Sequence, residues 1–287
     1  MAQRQVSVWQ PFFLGSKSTQ AALEAAAELE ELGYARIWFS AGFGENVPER
    51  FRELLDGTKH IGIAPGILSI WHSSPAEAAA FALDAERAHP GRFLLGLGAS
   101  HAVLVENDGT DYRRPYSKMV DYLDGLDAAG LPAERRVLAA LGPRMLELSR
   151  DRSAGAHPYF TPAEHTAEAR AALGPDRLLA PEVAVVVNAD ADAARATARQ
   201  YTTGYLTLPN YTNNLRRFGW TDEDFAGGGS DRLVDAIIPS GTPEQVAAGV
   251  EKHFHAGADE VAIQVLNGGD ASRFPSDAFR ALAAVLI

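Results

Sequence analysis

Short apolar, β-branched runs alternate with amphipathic helical segments along the whole of this 287-residue chain. That alternation is typical of βα units around a parallel sheet. Eight runs are predicted to form strands, namely Val6–Gln10, Arg36–Phe39, His60–Ile70, Phe93–Leu97, Val137–Leu141, Ala156–Tyr159, Val183–Val187 and Val261–Leu266. Eight strands alternating with helices in a chain of this length are what one closed barrel needs. The pattern therefore predicts an α/β fold, a (β/α)8 TIM barrel, with an open doubly wound sheet as the structural alternative.

Residues 209–236 break this alternation before the last predicted strand. They combine short helical pieces with Asn213–Asn214 and the glycine run Gly227–Gly229. We expect this segment to be a helical insertion that caps the barrel and shapes its pocket. The chain shows no internal repeat or low-complexity tail, and residues 1–287 are predicted to form a single domain.

Composition and charge exclude several classes of function. The chain has no cysteine, which excludes disulfides, thiolate metal sites and cysteine nucleophiles. Its net charge of −11 and its scattered Lys and Arg residues argue against a nucleic-acid partner, because phosphate neutralisation needs clustered cations. The N-terminus lacks the apolar stretch of a signal peptide, and no run of about 18 apolar residues occurs, so we expect no membrane span and a cytoplasmic location. The motifs GxGxxG before a helix, GxxxxGK[ST], GxSxG and HExxH are absent, and no metal site is predicted.

The predicted third strand contains an interruption. Active sites of (β/α)8 barrels lie at the C-terminal ends of the strands, so the last residues of each strand are candidates. The third strand carries the sequence Pro65, Gly66, Ile67 and Leu68 near its end. Pro and Gly within a central strand cost ladder hydrogen bonds and are typical of a bulge. The bulge either only distorts the strand or supports a flat ring at the barrel mouth.

The predicted fourth strand runs into a glycine-rich end that is followed by a histidine. Gly96 and Gly98 would let a flat ligand approach the backbone, and Ser100 and His101 are expected to project into the barrel mouth. Histidine titrates near neutral pH, so His101 is a candidate general acid or base. A purely structural role for this histidine is the alternative.

The predicted fifth strand ends in a turn that leads directly into a helix. The turn consists of Leu141, Gly142, Pro143 and Arg144. Backbone N–H groups and the positive end of a helix dipole would lie there beside a cation, which favours an anion or phosphate. An ordinary strand-to-helix turn is the alternative.

At these residues the chain resembles the luciferase-like monooxygenase superfamily, and within it the coenzyme F420-dependent oxidoreductases of actinobacteria. The resemblance covers nearly the whole chain. It is carried by HPGRFLLGLGASH (89–101), LGPRMLELSRDRSAGAHPYFTPAEHT (141–166), LPNYTNNLRRFGW (208–220), GGSDRLVDAIIPSGTPEQVAAGV (228–250) and AGADEVAIQV (256–265).

The resemblance implies roles for the strand-end residues. In similar proteins the third strand's bulge, often with a non-prolyl cis peptide, presses against the cofactor ring, and residues 65–68 fall at that place. The turn after strand five binds the cofactor's phosphate through backbone amides there, which matches residues 141–144. Some deazaflavin-dependent dehydrogenases place a catalytic carboxylate near the end of strand four. His101 stands at about that position and is therefore the leading acid or base, with Ser100 as a cofactor contact.

One departure from these dehydrogenases lies after the second strand. They commonly carry an Asp-His pair there, whereas this chain reads FSAGF over residues 39–43, with no ionisable side chain. The departure argues against a copy of their alcohol or sugar-phosphate oxidation. Four aromatic residues near strand ends suggest an apolar substrate, although core packing explains each equally well: Trp9, Trp38, Phe43 and Trp71.

The sequence therefore predicts an oxidoreductase that transfers a hydride between coenzyme F420 and a small, apolar organic substrate, with His101 supplying a proton in the reductive direction. An FMN-dependent monooxygenase and a non-catalytic F420-binding protein remain as alternatives. A phosphate-binding aldolase or isomerase would need a catalytic Lys or paired carboxylates at strand ends, and we find neither. The resemblance also implies a homodimer.

Overall fold

The computed structural model describes residues 4–41, 47–107, 109–268, 270 and 272–287. Its strands are β1 (Gln5–Trp9), β2 (Arg36–Phe39), β3 (Gly62–Pro65), β4 (Leu68–Ser69), β5 (Leu95–Gly98), β6 (Arg136–Leu138), β7 (Gly155–Ala156), β8 (Leu178–Leu179), β9 (Glu182–Val187), β10 (Ser240–Gly241) and β11 (Glu260–Val265). Its helices are α1 (Phe12–Gly15), α2 (Thr19–Glu31), α3 (Val47–Gly57), α4 (Pro75–Ala88), α5 (Ala102–Glu106), α6 (Pro115–Ala128), α7 (Pro143–Arg152), α8 (Ala163–Leu173), α9 (Ala191–Tyr205), α10 (Pro209–Arg216), α11 (Asp222–Phe225), α12 (Asp231–Ile237), α13 (Pro243–His255) and α14 (Ser276–Leu286). Single 3₁₀ turns lie at Ala133–Arg135 and Ala226–Gly228. Phe43, one of the aromatic residues noted in the sequence, lies outside the described residues.

The strands close into one parallel barrel. β1 pairs with β2 and β11, β2 pairs with β3, and β9 pairs with β11. Strands β4 to β8 pair in chain order. Backbone bonds join the two sets, because Leu94 N–H donates to the Ile63 carbonyl at 3.2 Å and Asp259 N–H donates to the Leu179 carbonyl at 2.9 Å. β10 is a two-residue strand that pairs with the end of β9. Apart from β10, and since β3 with β4 and β8 with β9 each form one interrupted barrel strand, the described residues supply eight barrel strands. The predicted (β/α)8 TIM barrel is confirmed, and the open sheet is wrong.

Alternate residues of each strand face the barrel axis and the surrounding helices. In β1, Val6 and Val8 pack outward into the main helix-lined core. Trp9 packs inward with Trp38 and Ala64. The other buried members of that inner cluster are Leu94, Val137, Ala180 and Ala262. The lower barrel is therefore a packed core, and any ligand must bind above it.

Local signals fix the ends of the helices around the barrel. Ser74 begins α4 with a capping box, in which Glu77 N–H donates to the Ser74 hydroxyl at 3.2 Å and Ser74 N–H donates to the Glu77 carboxylate at 2.9 Å. Gly33 follows α2 with φ of 90°, a left-handed conformation that glycine adopts without strain. Among the described residues, no helix is both long and apolar enough to cross a membrane.

Two predicted strands are interrupted in the structure. Gly66 and Ile67 separate β3 from β4, at the bulge that the sequence predicts. The predicted seventh strand starts earlier than expected, at Leu178, and pauses between β8 and β9. Pro181 explains that pause, because it has no N–H to donate to a neighbouring strand. Its carbonyl still accepts a hydrogen bond from Ala262 N–H at 2.9 Å.

Residues 209–236 fold into α10, α11, a 3₁₀ turn and most of α12. A second apolar cluster joins these helices to α9 and to the end of the sixth barrel strand. Its buried members include Phe160, Ala194, Ala198, Tyr211, Leu215, Leu233 and Val234. The cluster holds the start of α10 beside the barrel mouth, where the Tyr211 ring lies 5.3 Å from the Phe160 ring. A capping role for this segment, and a single domain over residues 1–287, stay predictions.

Candidate active site

A cavity of about 490 Å³ opens at the C-terminal ends of the barrel strands. Its wall is made of strand ends, of the loop before α6, and of residues from α9 and α10. The polar and aromatic lining includes Trp9, Ser69, Ser100, His101, Tyr112, His157, Tyr159, Tyr205, Asn210 and Tyr211. Among the described lining residues there is no Asp, Glu, Lys or Arg. The cavity therefore suits an uncharged, partly aromatic molecule better than a free anion or cation.

The structure brings together six of the ten residues predicted for the site. Those that line the cavity are Gly66, Ile67, Ser100, His101, Leu141 and Gly142. The other four lie beside it. Pro65 is buried in β3, Leu68 is half-buried at the start of β4, and Pro143 and Arg144 are exposed in the first turn of α7. The roles assigned to all ten stay predictions.

The wall formed by β3, β4 and β5 depends on close backbone packing. The peptide bond between Gly66 and Ile67 is cis. A Cβ on Gly96 would lie 2.1 Å from the Pro65 carbonyl oxygen, and one on Gly98 would lie 2.7 Å from the Ile67 side chain. These two glycines therefore allow the interrupted strand to pack against β5. The sequence suggested that Gly96 and Gly98 let a ligand approach the backbone. The structure shows that they also make room for the interrupted third strand.

The upper edge of the cavity, which we call the rim, consists of His101, Asn210 and Tyr211. Ser100 has φ of 57°, and this left-handed turn takes the chain from β5 to His101. The Nδ1 atom of His101 lies 3.1 Å from Oδ1 of Asn210. An amide oxygen only accepts, so Nδ1 carries the proton and Nε2 keeps the lone pair of the neutral ring. The His101 ring is 5.2 Å from the Tyr211 ring.

The electrostatics of the rim favour a neutral imidazole. Burial lowers the pKa of His101 below its ordinary value of 6.5, and the hydrogen bond to Asn210 opposes part of that shift. The half-buried ring is therefore mostly unprotonated at neutral pH. In that state it can accept a proton, and it becomes a strong donor when protonated.

The turn after β6 presents open backbone to the cavity. Gly142 is the N-cap of α7 with an ordinary φ of −86°, and a Cβ there would meet nothing within 4 Å. The Leu141 carbonyl accepts a hydrogen bond from Nε2 of buried His165 at 2.8 Å, which fixes the turn from outside. The Arg144 guanidinium lies 4.1 Å from the centre of the Tyr116 ring. Gly142 therefore leaves space for a ligand group at the mouth, and the cation of Arg144 follows two residues later in the exposed first turn of α7.

Trp9 and His157 line the bottom of the cavity. We call these two residues, together with the buried Trp38 and Glu260 behind them, the floor. The Trp38 and His157 rings stack with centroids 4.1 Å apart and planes 4° apart. Trp38 Nε1 donates to Glu260 Oε1 at 2.7 Å, and Arg36 Nε donates to the same carboxylate at 3.4 Å. All of these contacts come from barrel strands and lie within the packed interior. The floor is therefore formed before any ligand binds.

A cluster of tyrosine hydroxyls connects the floor with α9. Tyr159 OH lies 2.7 Å from Tyr201 OH, 2.9 Å from Tyr205 OH and 2.8 Å from Gln264 Oε1. Burial raises the pKa of all three tyrosines, so these phenols stay neutral. Burial also raises the pKa of nearby Glu182 to about 8, which keeps that carboxyl mostly protonated at neutral pH. The wall is hydrogen-bonded but uncharged.

Sequence reasoning missed His157, Asn210 and the tyrosine cluster. His157 lies within the predicted sixth strand, where its position at a strand end is the same signal that identifies the candidates of strands three to five. Tyr201 and Tyr205 are spaced i, i+4 in an alanine-rich helix, which places them on one face. Nothing in the sequence around Asn210 indicates its contact with His101, because the two residues lie 109 positions apart. Trp9 lines the cavity, whereas Trp38 lies beneath it and Trp71 donates to the Ala99 carbonyl at 2.7 Å.

Comparison with known proteins places this geometry in context. The 5,10-methylenetetrahydromethanopterin reductase of Archaeoglobus fulgidus is 23% identical over 287 aligned positions, which cover 81% of this chain and 85% of that protein. The structure of an F420-dependent secondary alcohol dehydrogenase in complex with an F420-acetone adduct matches with a TM-score of 0.76 and 14% identity, over 99% of this chain and 98% of that one.

A third similar protein has been solved with FMN bound. The oxygenating constituent of 3,6-diketocamphane monooxygenase from Pseudomonas putida, a type II Baeyer–Villiger monooxygenase in complex with FMN, matches with a TM-score of 0.68 and 16% identity, over 99% of this chain and 97% of that one. At these identities the two solved structures support the fold alone. The family model for luciferase-like monooxygenases matches residues 5–260, most of the chain. The chain therefore belongs to the luciferase-like monooxygenase family.

Proposed function

We propose that this chain is an oxidoreductase that transfers a hydride between coenzyme F420 and a small, uncharged and largely apolar organic substrate. Membership of the family makes the chain an enzyme, and the similarity to an F420-dependent dehydrogenase favours the deazaflavin. The observation that carries the proposal is the cavity itself, which has one wall of exposed backbone, another of aromatic rings, and no charged side chain among its described lining.

The residues present fit a flat coenzyme that carries a phosphate. When bound, a deazaflavin supplies two-electron hydride chemistry. The interrupted strand at residues 65–68 would support the ring, with Ser100 as a further contact. The turn at residues 141–144 would hold the phosphate, since Gly142 leaves open space where a Cβ would intrude and a cation, Arg144, follows in the first turn of α7.

His101 is proposed to exchange the substrate proton. Its Nδ1 is engaged by Asn210, which leaves Nε2 as the atom that can take up or give a proton. In substrate reduction the protonated ring is the active form, so kcat/KM should fall as pH rises through the lowered pKa of His101. In substrate oxidation the neutral ring is the active form, and the sign reverses. We expect the first profile.

Fluorescence titrations with coenzyme F420 and with FMN test the coenzyme. Preferential binding of F420 is expected. Preferential binding of FMN would move the chain to the monooxygenases, and binding of neither would overturn the proposed function. Gly142→Ala is a suitable probe of the phosphate position, because the added methyl group meets no protein atom within 4 Å and should weaken coenzyme binding without harming the fold.

Turnover of a His101→Ala variant tests the acid-base role. Loss of a general acid or base lowers turnover by about 10²- to 10⁴-fold. The dissociation constant for F420 should stay close to that of the unmodified protein. A variant with unchanged turnover would remove His101 from the mechanism. A protein that binds F420 but never changes the coenzyme's absorbance in the presence of substrates would instead be a non-catalytic carrier.

Two further expectations remain predictions. The family resemblance implies a homodimer, which sedimentation velocity would test. A cytoplasmic location is expected, and cell fractionation with an antibody to the chain would test it.

A further inference from the structure

His157 has a buried nitrogen with no hydrogen-bond partner. The side chain is 1% exposed and lies at the end of the sixth barrel strand. Its Nδ1 atom lies 2.6 Å from the Ala180 carbonyl oxygen, which can only accept, so Nδ1 carries the ring proton. Nε2 is therefore left with a lone pair, and no donor among the described residues reaches it. A buried polar atom of this kind lowers the stability of the fold unless a ligand donates a hydrogen bond to it.

The floor holds this ring in one orientation. Stacking on Trp38 fixes the ring plane, and the bond to Ala180 fixes its rotation within that plane. Neither neighbouring indole can turn to satisfy Nε2, because Trp38 Nε1 already donates to Glu260 and Trp9 Nε1 already donates to the Gly66 carbonyl at 3.0 Å. Nε2 of His157 is thus a hydrogen-bond acceptor whose orientation is fixed before any ligand binds.

The orphan nitrogen faces the cavity. The Nδ1 side of the ring is turned toward Ala180 on the neighbouring barrel strand. The Nε2 side is turned toward Gly66, and both His157 and Gly66 line the cavity. A Cβ on Gly66 would lie 2.5 Å from Nε1 of Trp9 and 3.2 Å from Nε2 of His157, so glycine at this position leaves room for both rings at the edge of the ligand space.

Two other buried histidines show that this arrangement is specific to the cavity. His165 also has an unpartnered ring nitrogen, Nδ1, but His165 does not line the cavity. His253 shares a hydrogen bond of 2.8 Å with the Thr166 hydroxyl on the outer side of the barrel. An unpartnered buried nitrogen at the ligand space is found at His157.

We propose that Nε2 of His157 accepts a hydrogen bond from an uncharged N–H group on the edge of the coenzyme ring. The inference rests on the proposed function for the identity of the ring. A lone pair repels an anionic group, and no carboxylate lines the described cavity to balance a cationic one, so the ligand edge is expected to be a neutral donor. The pyrimidinedione edge of a deazaflavin or flavin carries such an N–H. His157 would therefore orient the ring rather than react with it.

Imidazole ¹⁵N spectra of histidine-labelled protein test the proposal directly. The chain has eight histidines, and His157→Gln and His165→Gln variants assign the two signals that matter. In the free protein His157 should show a protonated Nδ1 and an unprotonated Nε2. Saturation with F420 should move the Nε2 signal toward that of a hydrogen-bonded nitrogen, while the Nδ1 signal of His165 should stay in place as an internal control.

Coenzyme affinity gives a second measurement. His157→Phe keeps an aromatic ring on Trp38 but removes the acceptor, and F420 should bind about tenfold more weakly. His157→Gln, whose amide has both a donor and an acceptor, should recover part of that loss. If His157→Phe does not fold, the ¹⁵N measurement alone decides.

The outcomes separate this proposal from the function on which it rests. F420 that binds without moving the His157 Nε2 signal overturns the role of His157 and leaves the proposed function standing. The same shift on saturation with FMN supports the acceptor role while changing the coenzyme. Absence of binding by both coenzymes overturns the proposed function and the inference together.

Discussion

The floor and the rim each present one histidine to the same cavity, and the protein holds these two side chains in different ways. His157 is stacked, buried and bonded through Nδ1 to a backbone carbonyl of an adjacent barrel strand. His101 is half-buried in a loop, and its Nδ1 bonds the exposed side chain of Asn210 on an inserted helix. Both rings are neutral at neutral pH. In both, the hydrogen bond is made by Nδ1, and Nε2 keeps its lone pair. The difference lies in what fixes them.

This difference separates binding from proton exchange. A residue that orients a ring works best when it cannot move or ionise, and the packed barrel provides that at the floor. A residue that exchanges a proton must change charge within each cycle, so it needs some access to water. The rim provides that access. The barrel thus supplies the fixed part of the site, and the loop after β5 together with α10 supplies the adjustable part.

The largest expected effect is on the stability of the floor. Glu260 is 1% exposed and accepts from both Trp38 and Arg36. Glu260→Ala leaves a buried N–H and a partly buried guanidinium without a partner, so the free energy of unfolding should fall by about 3 to 5 kcal/mol. Asn210→Ala at the rim removes only an exposed hydrogen bond and should cost less than about 1 kcal/mol. Urea unfolding of both variants, followed by circular dichroism, compares the two.

Equal losses of stability in these two variants would contradict the distinction between floor and rim. Glu260→Gln is the matched control, because its amide oxygen can still accept from Trp38 Nε1. It should lose less stability than Glu260→Ala.

The second expected effect is a loss of stability in acid that originates at the floor. Histidine in an unfolded chain titrates near 6.5, whereas burial lowers the pKa of His157 to about 4. Below pH 6.5 the unfolded chain binds a proton that the folded chain excludes. Stability therefore falls as pH falls from 6.5 to about 4, by on the order of 1 kcal/mol for each pH unit. Above pH 6.5 this histidine contributes no pH dependence.

Unfolding titrations at several pH values within that window test the assignment. His157→Gln should flatten the slope, and His101→Gln should flatten it less, because His101 is only half-buried. His253, with a pKa of about 4, keeps its own share of the slope in every variant. Glu182, with a pKa raised to about 8, contributes the opposite sign and is also common to all of them. The comparison therefore uses differences between variants. An unchanged slope in His157→Gln would show that this ring is not held neutral.

The sequence predicts the barrel because its strands and helices are indicated by the short-range periodicity of apolar residues. Each strand is a short apolar run, and each is followed by a helical pattern, so eight repeats of one local signal suffice. The signal for the interruption of the third strand is also local, since Pro65 and Gly66 can be recognised in the sequence without knowledge of the fold. His101 reaches the cavity as predicted because it directly follows a strand end.

The contacts that give these residues their chemistry are not local. Ala180 lies 23 positions from His157, and Asn210 lies 109 positions from His101. Whether a histidine is stacked on Trp38 or exposed at a rim depends on which strands become neighbours when the barrel closes. For the same reason Pro143 and Arg144, which are adjacent in sequence to Gly142, do not line the cavity: the first turn of α7 carries them onto the outer surface.

The smallest expected effect is a shift of the His101 pKa when the rim alone receives a charge. Asn210→Asp places a carboxylate where the amide oxygen now accepts from Nδ1 at 3.1 Å. A carboxylate at that distance favours the protonated ring, so the pKa of His101 should rise by about one unit. Asn213→Asp adds the same charge to the same helix, but Asn213 Oδ1 accepts from Arg216 at 3.0 Å and not from His101. Solvent screening should keep its effect below about 0.3 unit.

Proton NMR titration of the His101 ring measures both shifts without requiring a substrate. Because substrate reduction needs the protonated ring, the fall of kcat/KM with pH should move upward by the same amount in Asn210→Asp and stay in place in Asn213→Asp. His157 should keep its pKa in both variants, since the floor is enclosed by barrel strands and α10 does not reach it. A shift shared by His101 and His157, or one equally large in both variants, would mean that the charge acts through the whole fold. A shift confined to His101 in Asn210→Asp would mean that the inserted helix tunes the proton-exchanging residue while the barrel keeps the ring-binding residue constant.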